Sequence, residues 1–305
     1  MKIVIAGGTG FVGSALVSEL LSHGHQVIIL TRKAPALMES NPRFVEWDNL
    51  DNLALIEKEL DGTDFIINLA GESINSGRWT AQRKTRILQS RLNATNAIIK
   101  LITHLKNKPK ALINASAIGF YGTSEQAIFT ENHTLAGSDF LASTVVGWEE
   151  AAKGAELLGV RTALCRFGVI LAKDEGALPR MALPYKLFVG GTVASGKQWV
   201  SWIHIADVVK GILFVMNNEG LRGPINFTSP NPVKMGEFGK TLGKALRRPH
   251  WFGVPAIGLR ILLGEMSSLV VQGQQVKPEK LLEHHYPFIY SDLAEALKNI
   301  YNNKY

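Results

Sequence analysis

Lys2-Ile3-Val4-Ile5-Ala6-Gly7-Gly8-Thr9-Gly10-Phe11-Val12-Gly13 decides the fold. The first five residues are apolar and rich in β-branching, the pattern of a strand buried on both faces of a parallel sheet. The glycines follow without a gap. Residues 14–23 then carry Ala15, Leu16, Leu20 and Leu21 at helical spacing, with Gly24 where a helix stops. Gln26-Val27-Ile28-Ile29-Leu30 is a second strand. Strand, glycine turn, helix and strand together make a dinucleotide-binding unit. Gly7 permits a tight exit from the strand, Gly10 lets a pyrophosphate approach the backbone, and Gly13 lets the helix pack closely. Gly7, Gly8, Thr9, Gly10, Phe11, Val12 and Gly13 are therefore the expected phosphate cradle, at the positive end of the helix dipole. Their spacing is G-x-x-G-x-x-G rather than G-x-G-x-x-G.

The end of the second strand sets cofactor preference. A carboxylate there would accept hydrogen bonds from an unphosphorylated ribose. This chain has Thr31, Arg32 and Lys33 instead. Two cations and a hydroxyl suit a 2′-phosphate, which predicts NADP(H).

Further along, 43–47 reads as a third strand, followed by Asp48 within reach of an adenine, and Leu53, Ile56 and Leu60 mark a short helix. A fourth strand over 64–69 ends in Ala70-Gly71-Glu72, small residues across which a ligand can lie flat. A long helix over 80–106, a strand over 111–116, a helix over 140–158 stopped by Gly159, and a strand within 160–171 that includes Arg166 complete the alternation. This is the α/β pattern of a doubly wound parallel (Rossmann) sheet over residues 1–170. Ser116 falls at a strand's carboxyl end, where such folds place their chemistry. Beyond Leu171 the chain becomes rich in Gly and Pro. A strand over 199–203 and His204 precede a helix through Met216, and a strand at 224–228, in a returning segment near 206–229, rejoins the main sheet. Residues 171–205 and 230–305 are expected to form a smaller C-terminal substrate lobe.

Composition narrows the partners. Of 305 residues, 46% are hydrophobic and 19% charged, enough for a large core. No apolar run approaches the roughly 20 residues that span a bilayer, and the chain opens directly on a strand. The expectation is a cytoplasmic protein with no membrane partner. The one cysteine, Cys165, sits in an apolar run, which fits a reducing compartment and excludes a multi-cysteine metal site. No metal is expected. The net charge of +7 permits anionic partners. Its densest stretch, Arg78 to Arg91 with Arg83, Lys84 and Arg86, has only Trp79 as an aromatic and reads as the wet face of a helix, so no nucleic-acid partner is expected.

The chain resembles the extended short-chain dehydrogenase/reductase superfamily over nearly its whole length. The carriers are the glycine turn, Asn68-Leu69-Ala70-Gly71, Ser116 with Tyr121-Gly122, and Trp202-Ile203-His204-Ile205-Ala206-Asp207. More narrowly it is similar to the NAD(P)-binding epimerase-like family often labelled cell-division-inhibitor-like, through Glu72, Ser90-Arg91, Trp148-Glu149 and Gln274-Gln275-Val276-Lys277-Pro278. The resemblance implies that Asn68, Leu69, Ala70, Gly71 and Ser116 belong to the cofactor site and that Arg91 helps to hold the cofactor. It also implies a homodimer formed through the helices ending near Lys106 and Leu158.

The superfamily's chemistry uses a Ser, a Tyr that exchanges a proton with the substrate, and a Lys four residues later that lowers the Tyr pKa. Ser116 is present, but the Tyr and Lys positions hold Phe140 and Thr144. Two readings follow. In one, an oxidoreductase or epimerase-type enzyme acts on a small carbonyl or hydroxyl substrate. Ser116 orients the substrate oxygen, Tyr121 is the acid, and Arg166 or His204 faces the substrate. In the other, the protein is a non-catalytic NADP(H)-binding regulator or redox sensor. Independently of this choice, Tyr121 can be a packed aromatic in a tight loop and His204 a cap on the helix that follows it.

Overall fold

The computed structural model describes residues 1–33, 41–47 and 53–302. Asp48, expected near an adenine, lies outside them. Ile3, Val4, Ile5 and Ala6 are wholly buried in β1 (Lys2–Ala6). α1 (Phe11–Ser22), β2 (Gln26–Thr31), β3 (Arg43–Glu46), α2 (Leu53–Leu60), β4 (Phe65–Asn68), α3 (Ala81–His104) and β5 (Ala111–Ala117) follow. Then come β6 (Ile128–Phe129), α4 (Phe140–Lys153), β7 (Arg161–Phe167), β8 (Val169–Leu171), α5 (Leu178–Lys186), β9 (Trp199–Val200), β10 (Trp202–His204), α6 (Ile205–Asn217) and β11 (Gly223–Phe227). The chain closes with β12 (Val233–Lys234), α7 (Met235–Leu246), α8 (Ala256–Leu263), α9 (Ser268–Val271), β13 (Gln275–Val276), α10 (Glu279–Glu283) and α11 (Leu293–Asn302).

Seven strands form one sheet in the order β11-β7-β5-β4-β1-β2-β3, and every pair in it is parallel. One face packs under α1 and α6, through Leu16, Leu20, Val208 and Ile212. The other packs under α2, α3 and α4, through Leu60, Ile98, Ile102 and Ala152. Both faces are covered, so these strands read as continuous apolar runs rather than alternating ones. β11 is the returning strand, beside β7.

A separate core lies over one end of the sheet. Trp202, Phe238, Tyr185, Leu242 and Leu297 bring together β10, α5, α7 and α11. Asp207 ties α6 to the C-terminal segment: its carboxylate accepts from Ile289 N at 2.7 Å and Tyr290 N at 2.9 Å.

Three elements differ from expectation. The strand read over 199–203 is two short strands, β9 pairing antiparallel with β12 and β10 pairing parallel with β8. The helix read over 140–158 ends at Lys153, and a 3-10 turn over Glu156–Leu158 leads to Gly159 at φ 75°. The strand within 160–171 is two strands, broken at Gly168. There the Gly168 N–H goes to Phe227 O at 3.0 Å and the Val169 N–H to Ser201 O at 2.8 Å. The chain thus leaves the main sheet to pair with β10. A Cβ on Gly168 would lie 2.4 Å from Ser201 O, so only glycine fits this crossing.

Candidate functional site

The glycine turn is built by contact. Gly7 has φ 80°, and a Cβ there would sit 2.8 Å from the Leu69 carbonyl group. A Cβ on Gly13 would lie 2.1 Å from Gly7 O, so α1 can approach β1 only with glycine at that position. Gly10 donates its N–H to Gly7 O at 3.0 Å and caps α1 without any side-chain cap. The first turn of α1 is left with its N–H groups for an anion. At the end of β2, Thr31 Oγ1 accepts from Lys33 N at 3.3 Å and donates to Lys33 O at 3.1 Å, and Arg32 and Lys33 are exposed. The open helix end and the missing side chain at Gly10 fit a dinucleotide cofactor.

At the end of β4, Asn68 is fully buried. It donates to Thr95 Oγ1 at 3.0 Å and Asn114 Oδ1 at 2.7 Å, and accepts from Ala70 N at 3.2 Å. It shapes the Leu69–Gly71 turn from within. Arg91, on α3, lies against Gly71 and 5.0 Å from the Trp148 ring centroid, with Nη1 donating to Glu72 O at 3.1 Å and Ile87 O at 2.9 Å. Burial lowers its guanidinium to about 10.

A cavity of about 440 Å³ opens beyond these turns, at the carboxyl ends of β5 and β7. Arg91, Ala117, Thr144, Trp148 and Gly168 line one side, and Leu269 and Gln274 of the C-terminal segment line the other. Gln274 is fixed by its Nε2–H donating to Ile118 O at 3.1 Å.

Phe140 and Thr144 line this cavity as the Tyr and Lys positions should. Phe140 meets Trp79 edge-on at 5.3 Å, and Thr144 Oγ1 donates to Phe140 O at 2.8 Å. Ser116, Tyr121, Arg166 and His204 are not among the described residues lining it. Ser116 Oγ donates to Glu149 Oε1 at 2.5 Å, behind the cavity wall, and its neighbour Ala117 is the residue that faces the cavity. Arg166 grips the same Glu149 through Nε and Nη2, both at 2.8 Å, and lies 3.6 Å from the Phe120 ring centroid. Tyr121 is buried, and its hydroxyl donates to Asn226 Oδ1 at 2.8 Å. Burial raises its phenol above the ordinary value, which makes it a weaker acid. His204 caps α6, accepting Ala206 N at 3.1 Å on Nδ1, with Tyr290 4.1 Å from its ring. Ser116 and Arg166 are thus held by Glu149, Tyr121 by Asn226 and His204 by the start of α6. The sequence reading passed over Trp79, Asp139, Glu265, Leu269 and Gln272, which do line the cavity. Of the lining residues, Arg91, Gly122, Trp148 and Gln274 are ones the resemblance marks.

Residues 3–226 match the model of the NAD dependent epimerase/dehydratase family, and residues 254–300 match a domain of unknown function, DUF1731. The chain belongs to the NAD dependent epimerase/dehydratase family. It is 47% identical over 300 residues to epimerase family protein YfhF of Bacillus subtilis, covering 98% of each chain. It is 41% identical to epimerase family protein SSP1921 of Staphylococcus saprophyticus, covering 97% of this chain and 98% of that one. Among solved structures it is similar to human epimerase family protein SDR39U1 with NADPH: TM-score 0.89, 31% identity, all of both chains covered. The UDP-N-acetylglucosamine 4-epimerase of Bacillus cereus shares the fold, at TM-score 0.77 and 17% identity.

Proposed function

We propose that this protein is an NADP(H)-dependent oxidoreductase acting on a small carbonyl or hydroxyl compound. The observation that carries the reading is the cavity of about 440 Å³, walled by Ala117, Thr144 and Gly168 and closed by the C-terminal segment. A protein that only sensed cofactor would need no second compartment at that end. The 2′-phosphate falls to Arg32 and Lys33, and the pyrophosphate to the N–H groups of the 10–13 turn. When bound, the nicotinamide supplies or accepts a hydride. The chain's own part is to orient and to place charge. Trp148, Phe140 and Leu269 exclude water from the cavity. Arg91 is the cation that lines it and stands in for the absent Lys, holding negative charge that develops on a ribose or substrate oxygen. Thr144, its hydroxyl hydrogen committed to Phe140 O, offers an acceptor to the same space.

The test follows NADPH absorbance with a panel of aldehydes, ketones and sugar nucleotides, using wild type, Arg91→Ala and Ser116→Ala. Turnover that falls about a hundredfold in Arg91→Ala and persists in Ser116→Ala supports the reading. A second reading, the non-catalytic regulator, is favoured by one observation: neither Phe140 nor Thr144 can act as the usual proton donor and its partner. Tight NADPH binding with no turnover of any compound would select it.

A further inference from the structure

Helix α8 is apolar, Ala-Ile-Gly-Leu-Arg-Ile-Leu-Leu, and none of its residues is buried. Ile257, Ile261 and Leu262 are each about 70% exposed. An apolar stripe on a helix ordinarily faces a core. A second exposed group stands at the end of α5: Leu183 and Leu187, one turn apart, then Phe188 and Val189. The segment leading into α8 lies against it. Trp251 Nε1 donates to Phe188 O at 2.9 Å, Phe252 N to Gly190 O at 3.2 Å, and the Arg248 guanidinium stands 4.5 Å from the Phe188 ring centroid. Trp251 and Phe252 are themselves 67% and 54% exposed.

The charge is as uneven as the hydropathy. Residues 178–197 and 237–263 hold eight Lys and Arg, all exposed, against one acid, Glu237. Their excess of +7 equals the formal charge of the whole chain, so the remaining residues are balanced.

We infer that this face docks on the surface of an anionic lipid bilayer. Trp, Phe, Ile and Leu at the tip have the depth of the headgroup boundary to enter, and the surrounding Lys186, Lys244, Arg247, Arg248 and Arg260 meet acidic headgroups. A second copy of the chain is the poorer occupant, since a two-fold contact would set +7 against +7. Nucleic acid is also poorer, because most of the tip is aliphatic and cannot stack on bases. Among the described residues no helix is long and apolar enough to cross a membrane. Lying in the interface needs no such span, and the proposal departs from the sequence expectation of no membrane partner. The inference does not depend on the reaction proposed above.

Sedimentation of the full chain with vesicles of phosphatidylcholine, or of phosphatidylcholine and phosphatidylglycerol, tests it. Wild type is expected to pellet with the anionic vesicles, and raised salt should weaken this. Trp251→Ser/Phe252→Ser and Arg247→Glu/Arg248→Glu should each bind about tenfold more weakly, with unchanged melting temperature and far-ultraviolet circular dichroism. Trp251 emission should shift to the blue on binding. Failure of wild type to pellet, equal binding by both variants, or a wild-type dimer that Trp251→Ser/Phe252→Ser dissociates in the absence of lipid binding would overturn it.

Discussion

Glu149 holds two partners in the interior, Ser116 Oγ at 2.5 Å and the Arg166 guanidinium through two bonds of 2.8 Å. The ion pair is 3% and 5% exposed, so removing one side strands a buried charge. Glu149→Ala should cost about 3–5 kcal/mol, and Ser116→Ala, which removes one buried hydrogen bond to a carboxylate, about 1.5–3 kcal/mol. Urea unfolding followed by circular dichroism checks both. Gly13→Ala is a different case. Its Cβ would lie 2.1 Å from Gly7 O, a backbone atom that cannot yield without opening the turn. Stability should fall by about 1–3 kcal/mol, and NADPH binding should be lost even where the variant remains folded. Fluorescence titration with NADPH reads the second effect.

At the scale of elements, β1, α1 and β2 were legible because local chemistry fixes them: a β-branched run, glycines a turn apart, a glycine stop. Gly24 indeed follows the helix at φ 72°. The face of β5 was not legible. Its first six residues are all buried, so no alternation marks which side chains meet the cavity. Position at a strand's carboxyl end therefore could not separate Ser116 from Ala117. The two lie on opposite faces because successive strand residues do. His204 shows the same limit. The sequence leaves His204 between facing a substrate and capping α6, and the structure assigns its Nδ1 to the cap. Burial lowers its imidazole from 6.5 to about 4. The unfolded chain therefore takes up the proton first as pH falls. The contribution of this group to stability is present above about pH 6.5 and is lost between there and pH 4. Unfolding midpoints measured across that range should fall with pH, and less steeply in His204→Asn, which keeps a capping acceptor without the titration.

At the scale of the molecule, the cavity joins residues about 150 positions apart in sequence: Ala117 and Thr144 from the sheet side, Leu269 and Gln274 from the segment that covers it. The sheet order could be inferred from alternating elements. The far wall could not, because helical pieces broken by Pro and Gly carry no periodicity that says which surface they cover. Resemblance marked Gln274, and its hydrogen bond to Ile118 O gives the reason. The central claim is that the turn at 7–13 and the cations after β2 bind NADP(H), with the cavity at its reacting end. Calorimetric titration of wild type and Arg32→Ala with NADPH and with NADH tests it most directly. Wild type should bind NADPH about tenfold or more tighter than NADH, and Arg32→Ala should lose most of that preference while its NADH affinity stays the same. Equal affinity of wild type for the two cofactors, or a preference that Arg32→Ala retains, would contradict it.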